Sequence, residues 1–135
     1  MSYDKLIKTA VDTMRNSYSP YSNFKVGAAL LCKNGNIYSG CNVENASFSA
    51  TVCAERTAIL KAVSEGEKFF DAIAIVGGKN GEITSFCSPC GICRQTLGEF
   101  CSEDFKIILF DGQNSKIYTL KELLPLSFGS TNLCK

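Results

Sequence analysis

The chain alternates between segments whose apolar residues recur at helical spacing and short, continuous apolar runs of strand length. Leu6, Ile7, Ala10, Val11 and Met14 share one face of a helix predicted over Met1 to Ser17. Ser19-Pro20-Tyr21-Ser22-Asn23 breaks that pattern, and Phe24 to Cys32 follows as a buried strand. Lys33-Asn34-Gly35-Asn36 predicts a hairpin turn into a second strand, Ile37 to Cys41. Cys53 to Ser64 is again helical, with Ala58, Leu60, Ala62 and Val63 among its apolar positions and Gly66 just beyond its end. Ala72 to Val76 is an apolar run that Gly77-Gly78 closes. Pro89 stands where a helix begins, and the pattern carries that helix to the neighbourhood of Phe100. Lys106 to Phe110 predicts another strand. Asp111-Gly112-Gln113-Asn114-Ser115 is too short for a crossover, so the strand Ile117 to Leu120 must return antiparallel. Glu122 to Phe128 predicts a short closing helix broken at Pro125.

Strands separated by helices predict an α/β protein with a mixed five-stranded sheet, its last two strands antiparallel and helices covering it. No internal repeat, linker or low-complexity stretch divides the chain. Its 135 residues suffice for one buried core, so 1–135 reads as a single domain.

Composition narrows the function classes. Apolar residues make up 45% and charged residues 20%, the balance of an ordinary globular protein. A net charge of +1 without a Lys/Arg cluster gives no nucleic-acid groove and no membrane surface. Met1 to Asp12 lacks the apolar stretch of a secretion signal, and no apolar run approaches the roughly 18 residues that span a bilayer. The expected location is cytoplasmic, where the eight cysteines would be reduced thiols. Cys32, Cys41, Cys101 and Cys134 read as core filling. There is no histidine. A bound metal must therefore take its soft ligands from cysteine, and any general acid or base must be another residue.

Cys53-Ala54-Glu55-Arg56 and Pro89-Cys90-Gly91-Ile92-Cys93 supply that chemistry. Three thiolates hold one Zn2+ and leave a position for water, as catalytic zinc requires, whereas a structural site takes four protein ligands. Glu55 stands beside the metal as a proton carrier. Cys90 and Cys93, three apart in the first turn of a helix, project to the same side. Cys53 begins another helix, and both N-termini favour thiolate over thiol. Zinc with three thiolates carries a net negative charge, which Arg56, and less directly Arg94, is placed to offset; Arg56 is expected to contact the ligand sulfurs. Two structural readings compete. The even spacing of Cys87, Cys90 and Cys93 begins an iron–sulfur run, but its fourth member would fall at Leu97. Cys87 could instead complete a four-cysteine structural zinc site, against which Pro89 holds Ser88 extended and takes Cys87 off the helix. Neither gives Glu55 a role. Cys-x-Glu combined with Pro-Cys-x-x-Cys is the signature of zinc-dependent nucleobase deaminases.

Four blocks extend the match: Phe24-Lys25-Val26-Gly27-Ala28-Ala29-Leu30, Cys41-Asn42-Val43-Glu44-Asn45-Ala46, Cys53-Ala54-Glu55-Arg56-Thr57-Ala58 and Ser88-Pro89-Cys90-Gly91-Ile92-Cys93-Arg94-Gln95. Together they closely resemble the small, homotetrameric cytidine deaminases, from Tyr18-Ser19-Pro20-Tyr21 to Leu123-Leu124-Pro125-Leu126-Ser127-Phe128. The resemblance implies a three-layer α-β-α fold with a Zn2+ cofactor. It implies hydrolytic deamination of cytidine and 2′-deoxycytidine to the uridines plus ammonia, by attack of zinc-activated water on C4. By the same resemblance Cys53, Cys90 and Cys93 bind zinc and Glu55 shuttles protons. Asn42 and Glu44 grip the ribose, Phe24 packs on the base, and the Ala54 backbone contacts the base. Phe128 reaches into a neighbour's site, giving a homotetramer with shared active sites. Taken singly, Phe24 and Phe128 would be core residues and Asn42 and Glu44 members of a solvated loop; the zinc motif reverses those readings. Phe48 departs from the family, which often carries Tyr near this position. Three rivals stay open: a deaminase of another small aminopyrimidine such as a cytosine-containing antibiotic, a nucleic-acid editing enzyme, and a non-catalytic zinc module. The modest charge weakens the second, since a nucleic-acid strand needs basic surface.

Overall fold

Both faces of the sheet are buried, which is why its central strands read as unbroken apolar runs and not as alternations. The computed structural model describes residues 2–134. The strands are Phe24–Cys32 (β1), Ile37–Cys41 (β2), Phe70–Lys79 (β3), Lys106–Phe110 (β4) and Ser115–Thr119 (β5). They form one sheet in the order β2-β1-β3-β4-β5. β3 and β4 run parallel, and the other neighbours are antiparallel. The helices are Asp4–Met14 (α1), Ala54–Ser64 (α2), Gly91–Phe100 (α3) and the short turns Leu120–Leu123 (α4) and Ser130–Leu133 (α5).

Alternate residues of each strand build two cores. Leu6, Ala10 and Met14 of α1 pack on Ala29, Ala72, Ala74, Val76 and Ile108. On the opposite face Ala58, Ile59 and Ala62 of α2 and Leu97 of α3 cover Leu30, Ile73, Ile75, Ile107 and Leu109. The molecule is the three-layer α-β-α sandwich, with the expected mixed five-stranded sheet and antiparallel last pair.

Several boundaries differ from the pattern-based expectation. α1 ends at Met14, and the predicted start at Met1 lies outside the described residues. Ser17 leaves the helix because its hydroxyl bonds Asn42 in a buried cluster. β3 extends on both sides of the predicted run and passes through Gly77-Gly78. These glycines do not stop the strand; they admit a crossing segment. A Cβ on Gly77 would lie 2.9 Å from Cys87 Sγ, and one on Gly78 would lie 1.7 Å from the Glu82 carbonyl oxygen. α2 and α3 each start one residue past a cysteine, with Cys53 and Cys90 as their N-caps. Finally, β5 begins earlier than predicted, and the closing helix is only Leu120–Leu123. Thr119 and Glu122 form a reciprocal capping box that starts it there.

Candidate metal centre and active site

Two helix N-termini converge beside the sheet. The Cys53 carbonyl accepts from Thr57 N–H at 3.0 Å and the Cys90 carbonyl from Arg94 N–H at 3.0 Å, so both cysteines open their helices through the backbone. Neither uses its side chain as a cap, which leaves both sulfurs free for another partner. Cys93 sits one turn into α3 and is fully buried. The three sulfurs lie within 4.8 Å of one another. Cys53 Sγ is 3.7 Å from Cys90 Sγ, which is 3.5 Å from Cys93 Sγ. Tetrahedral donors at a zinc–sulfur distance of about 2.3 Å stand about 3.8 Å apart, so the donor set fits a zinc ion. Cys87 is not part of this cluster. Its thiol is pushed up to about 12, first by burial and then by the Glu55 charge, and it packs against Gly77 as part of the wall.

The electrostatics already favour an anionic sulfur. Cys53 is held down to about 5, first by its hydrogen bond with the Cys93 thiol and then by the Arg56 guanidinium. Cys93, sharing a proton with it, is pushed up. Arg56 Nη2 donates to the Thr51 carbonyl at 2.9 Å and stands 3.8 Å from Cys53 Sγ. Arg94 is turned elsewhere: Nε donates to the Pro89 carbonyl and Nη1 to the Leu123 carbonyl, both at 2.8 Å. It braces the ligand loop against the C-terminal segment and makes no hydrogen bond to the sulfurs.

Glu55, in the first turn of α2, is only 4% exposed. Burial is the main cause that lifts its carboxyl to about 7, a value suited to taking and returning protons near neutrality. It lines a cavity of about 210 Å³ together with Val26, Asn42, Ala54, Cys53 and Cys90. Thr51 lines this cavity and also an outer one of about 330 Å³ bounded by Tyr21, Ser22, Glu44 and Phe48.

Gly40 explains how α2 reaches this position. A Cβ there would lie 2.7 Å from both the Ala54 carbonyl oxygen and the Ala58 nitrogen, so the helix start rests directly on β2. Asn42, just past β2, is buried. Its Oδ1 accepts from Ser17 Oγ and Val26 N–H, and its Nδ2 donates to the Phe24 carbonyl at 2.8 Å. Phe24 opens β1 at 39% exposure and lines neither cavity. Phe128 is likewise exposed and away from both; its carbonyl accepts from Gln95 Nε2 at 2.8 Å. The fold thus brings Cys53, Ala54, Glu55, Arg56, Cys90, Cys93 and Asn42 together, sets Glu44 in the adjoining outer cavity, and leaves Phe24 and Phe128 outside both. The residue pattern missed Thr51, Ser17 and Ser22. Thr51 stands two residues before the first zinc-motif cysteine, a signal within reach; the two serines had none beyond a loop composition.

A family model for the cytidine and deoxycytidylate deaminase zinc-binding region matches residues 1–109. A cytidine deaminase from Sporosarcina psychrophila is 43% identical over 134 residues, covering 98% of this chain and 96% of the relative. A blasticidin-S deaminase from Bacillus cereus is 34% identical over 128 residues, covering 92% of this chain and 90% of the relative. The crystal structure of a cytidine deaminase from Burkholderia pseudomallei superposes with a TM-score of 0.87 at 40% identity, covering 95% of this chain and 100% of that one.

Proposed function

The chain belongs to the cytidine and deoxycytidylate deaminase family and is a zinc-dependent hydrolytic deaminase, and from that premise we propose that it converts cytidine and 2′-deoxycytidine to the corresponding uridines and ammonia. The observation that carries the reading is a buried carboxylate, Glu55, beside a three-sulfur cluster that fits zinc at the edge of a ligand-sized cavity.

Cys53, Cys90 and Cys93 hold the zinc. When bound, it supplies Lewis acidity that makes water nucleophilic at neutral pH. Glu55 takes one proton from the attacking water and places it on the ring nitrogen beside C4, then takes the second from the hydroxyl now on C4 and passes it to the amino group, which leaves as ammonia as the C4 carbonyl forms. Arg56 offsets the negative charge of the thiolate cluster. The Ala54 backbone faces the base from the floor of the cavity. Asn42 has one amide hydrogen left after bonding Phe24, and that hydrogen donates to a sugar oxygen. Glu44 accepts from a sugar hydroxyl, and its charge repels phosphate at the same end.

The family resemblance also supports a homotetramer with shared active sites, in which Phe24 packs on the base and Phe128 enters a neighbour's cavity. Both rings are exposed in the single chain, as that role requires. The same reading takes residues 1–135 as one deaminase domain. Cytoplasmic residence is supported by the described cysteines, all of which are free thiols. No described helix is long and apolar enough to cross a membrane.

A second reading, deamination of blasticidin S, draws on the similarity to the Bacillus cereus relative. One assay separates the two. Zinc-loaded protein is offered cytidine, cytidine monophosphate and blasticidin S, and ammonia release is measured. The primary reading expects turnover of cytidine and poor activity on the monophosphate. Turnover of blasticidin S with cytidine inert would transfer the assignment to the second reading.

A further inference from the structure

The loop between α1 and β1 is moulded onto Glu44. Tyr21 N–H and Ser22 N–H donate to Glu44 Oε1 over 3.0 and 3.1 Å. The Ser22 hydroxyl donates to Glu44 Oε2 and accepts from Phe24 N–H at 3.0 Å. That hydroxyl and the two amides hold the carboxylate below the usual range despite partial desolvation. The loop itself has little freedom. Tyr18 N–H donates to the Asn42 carbonyl at 3.0 Å, and Glu44 N–H donates back to the Tyr18 carbonyl at 2.8 Å. Lys79 Nζ fixes the Ser22 carbonyl at 2.9 Å. Asn23 takes a left-handed turn at φ 56°, which directs the chain into β1.

A carboxylate oxygen has two lone pairs. Oε1 spends both on the two amides, and Oε2 spends one on Ser22. A single acceptor site therefore remains on Glu44, in a direction set by Ser22. The same hydroxyl reaches the backbone of Phe24, whose carbonyl Asn42 holds from the other side. One side chain thus couples Glu44, Phe24 and Asn42.

We propose that Ser22 is a positioning residue for nucleoside recognition: its hydroxyl aims the last free lone pair of Glu44 at one sugar hydroxyl and so selects neutral nucleosides that carry it. The inference rests on the substrate reading given above. Without the Ser22 hydroxyl the two backbone amides still hold Oε1, but Oε2 loses its partner and its acceptor sites are no longer confined to one free direction, so binding suffers while the chemistry at Glu55, in the inner cavity, does not.

The test pairs Ser22→Ala and Ser22→Thr with a set of cytidine analogues, each lacking one sugar hydroxyl. Ser22→Ala should raise KM for cytidine about tenfold, the weight of one hydrogen bond to a charged group, with kcat within about twofold. Ser22→Thr, which keeps the hydroxyl at an exposed position, should restore most of the affinity. On the analogue whose missing hydroxyl most weakens the wild type, the Ser22→Ala penalty should shrink to about twofold or less, because its partner is already gone. A penalty equal across all analogues, a loss confined to kcat, or unchanged kinetics in Ser22→Ala would overturn the assignment. A zinc-loaded wild type that releases no ammonia from cytidine would overturn the substrate reading instead.

Discussion

Arg56 sets its guanidinium between a backbone carbonyl and a ligand sulfur, 2.9 Å from Thr51 O and 3.8 Å from Cys53 Sγ. Its Nε is buried without a hydrogen-bond partner among the described residues. A cation so placed costs desolvation unless an anion faces it, and the thiolate cluster is that anion. Outer partners of metal ligands commonly carry about 10–100-fold in metal affinity. We therefore expect Arg56→Ala to weaken zinc binding by that order, measured by competition with a chromogenic chelator; unchanged zinc affinity and turnover would remove the role. Arg56 could be read from the sequence because it lies one turn from Cys53. Arg94, likewise about one turn from a ligand, Cys90, could not be separated from Arg56 by spacing alone. Its guanidinium follows the Pro89 and Leu123 carbonyls, a contact made across the fold. Ser22 and Glu44 lie 22 positions apart for the same reason, and no local pattern announces their meeting.

At the level of elements, most of the sheet was legible in the sequence. β1 and β4 fall where their apolar runs do, because their central residues are buried on both faces, while the edge strand β2, with only Gly40 buried, was located by the Asn34-Gly35 turn before it. Glycine was the misleading signal. Gly77-Gly78 looked like an end to β3 but lies inside it, because what the position demands is room for Cys87 and Glu82. Gly40 serves the site more directly, since the start of α2 that carries Cys53 and Glu55 rests on it. Its missing Cβ meets backbone, which cannot rotate away. Gly40→Ala should cost about 1–3 kcal/mol of stability, seen as a lower urea midpoint, and should depress activity beyond the unfolded fraction by shifting α2. Stability and activity equal to wild type would show that the helix start has slack.

For the whole molecule, the exposed apolar side chains are unevenly explained by a single chain. Phe48 is 76% exposed, Phe128 58% and Leu126 fully so, while the two cores beneath are tightly filled. Large exposed apolar side chains, one of them (Phe48) lining the outer cavity, mark a surface that another molecule covers. We expect sedimentation equilibrium to give a tetramer, and Phe128→Ala to lower kcat/KM although Phe128 lines neither cavity of its own chain. A monomer with full activity would contradict the shared-site reading. Oligomeric state was legible only through family resemblance, because apolar residues at a subunit boundary look in sequence like those of a core. In the proposed mechanism Glu55 carries protons beside a zinc ion held by three cysteines. Its most direct test is ammonia release from cytidine by wild type and Glu55→Ala, with zinc measured in both. The variant should keep its zinc and lose activity by a factor of about 100–10,000, the usual weight of a general acid–base. A variant that keeps both its zinc and its activity would contradict it.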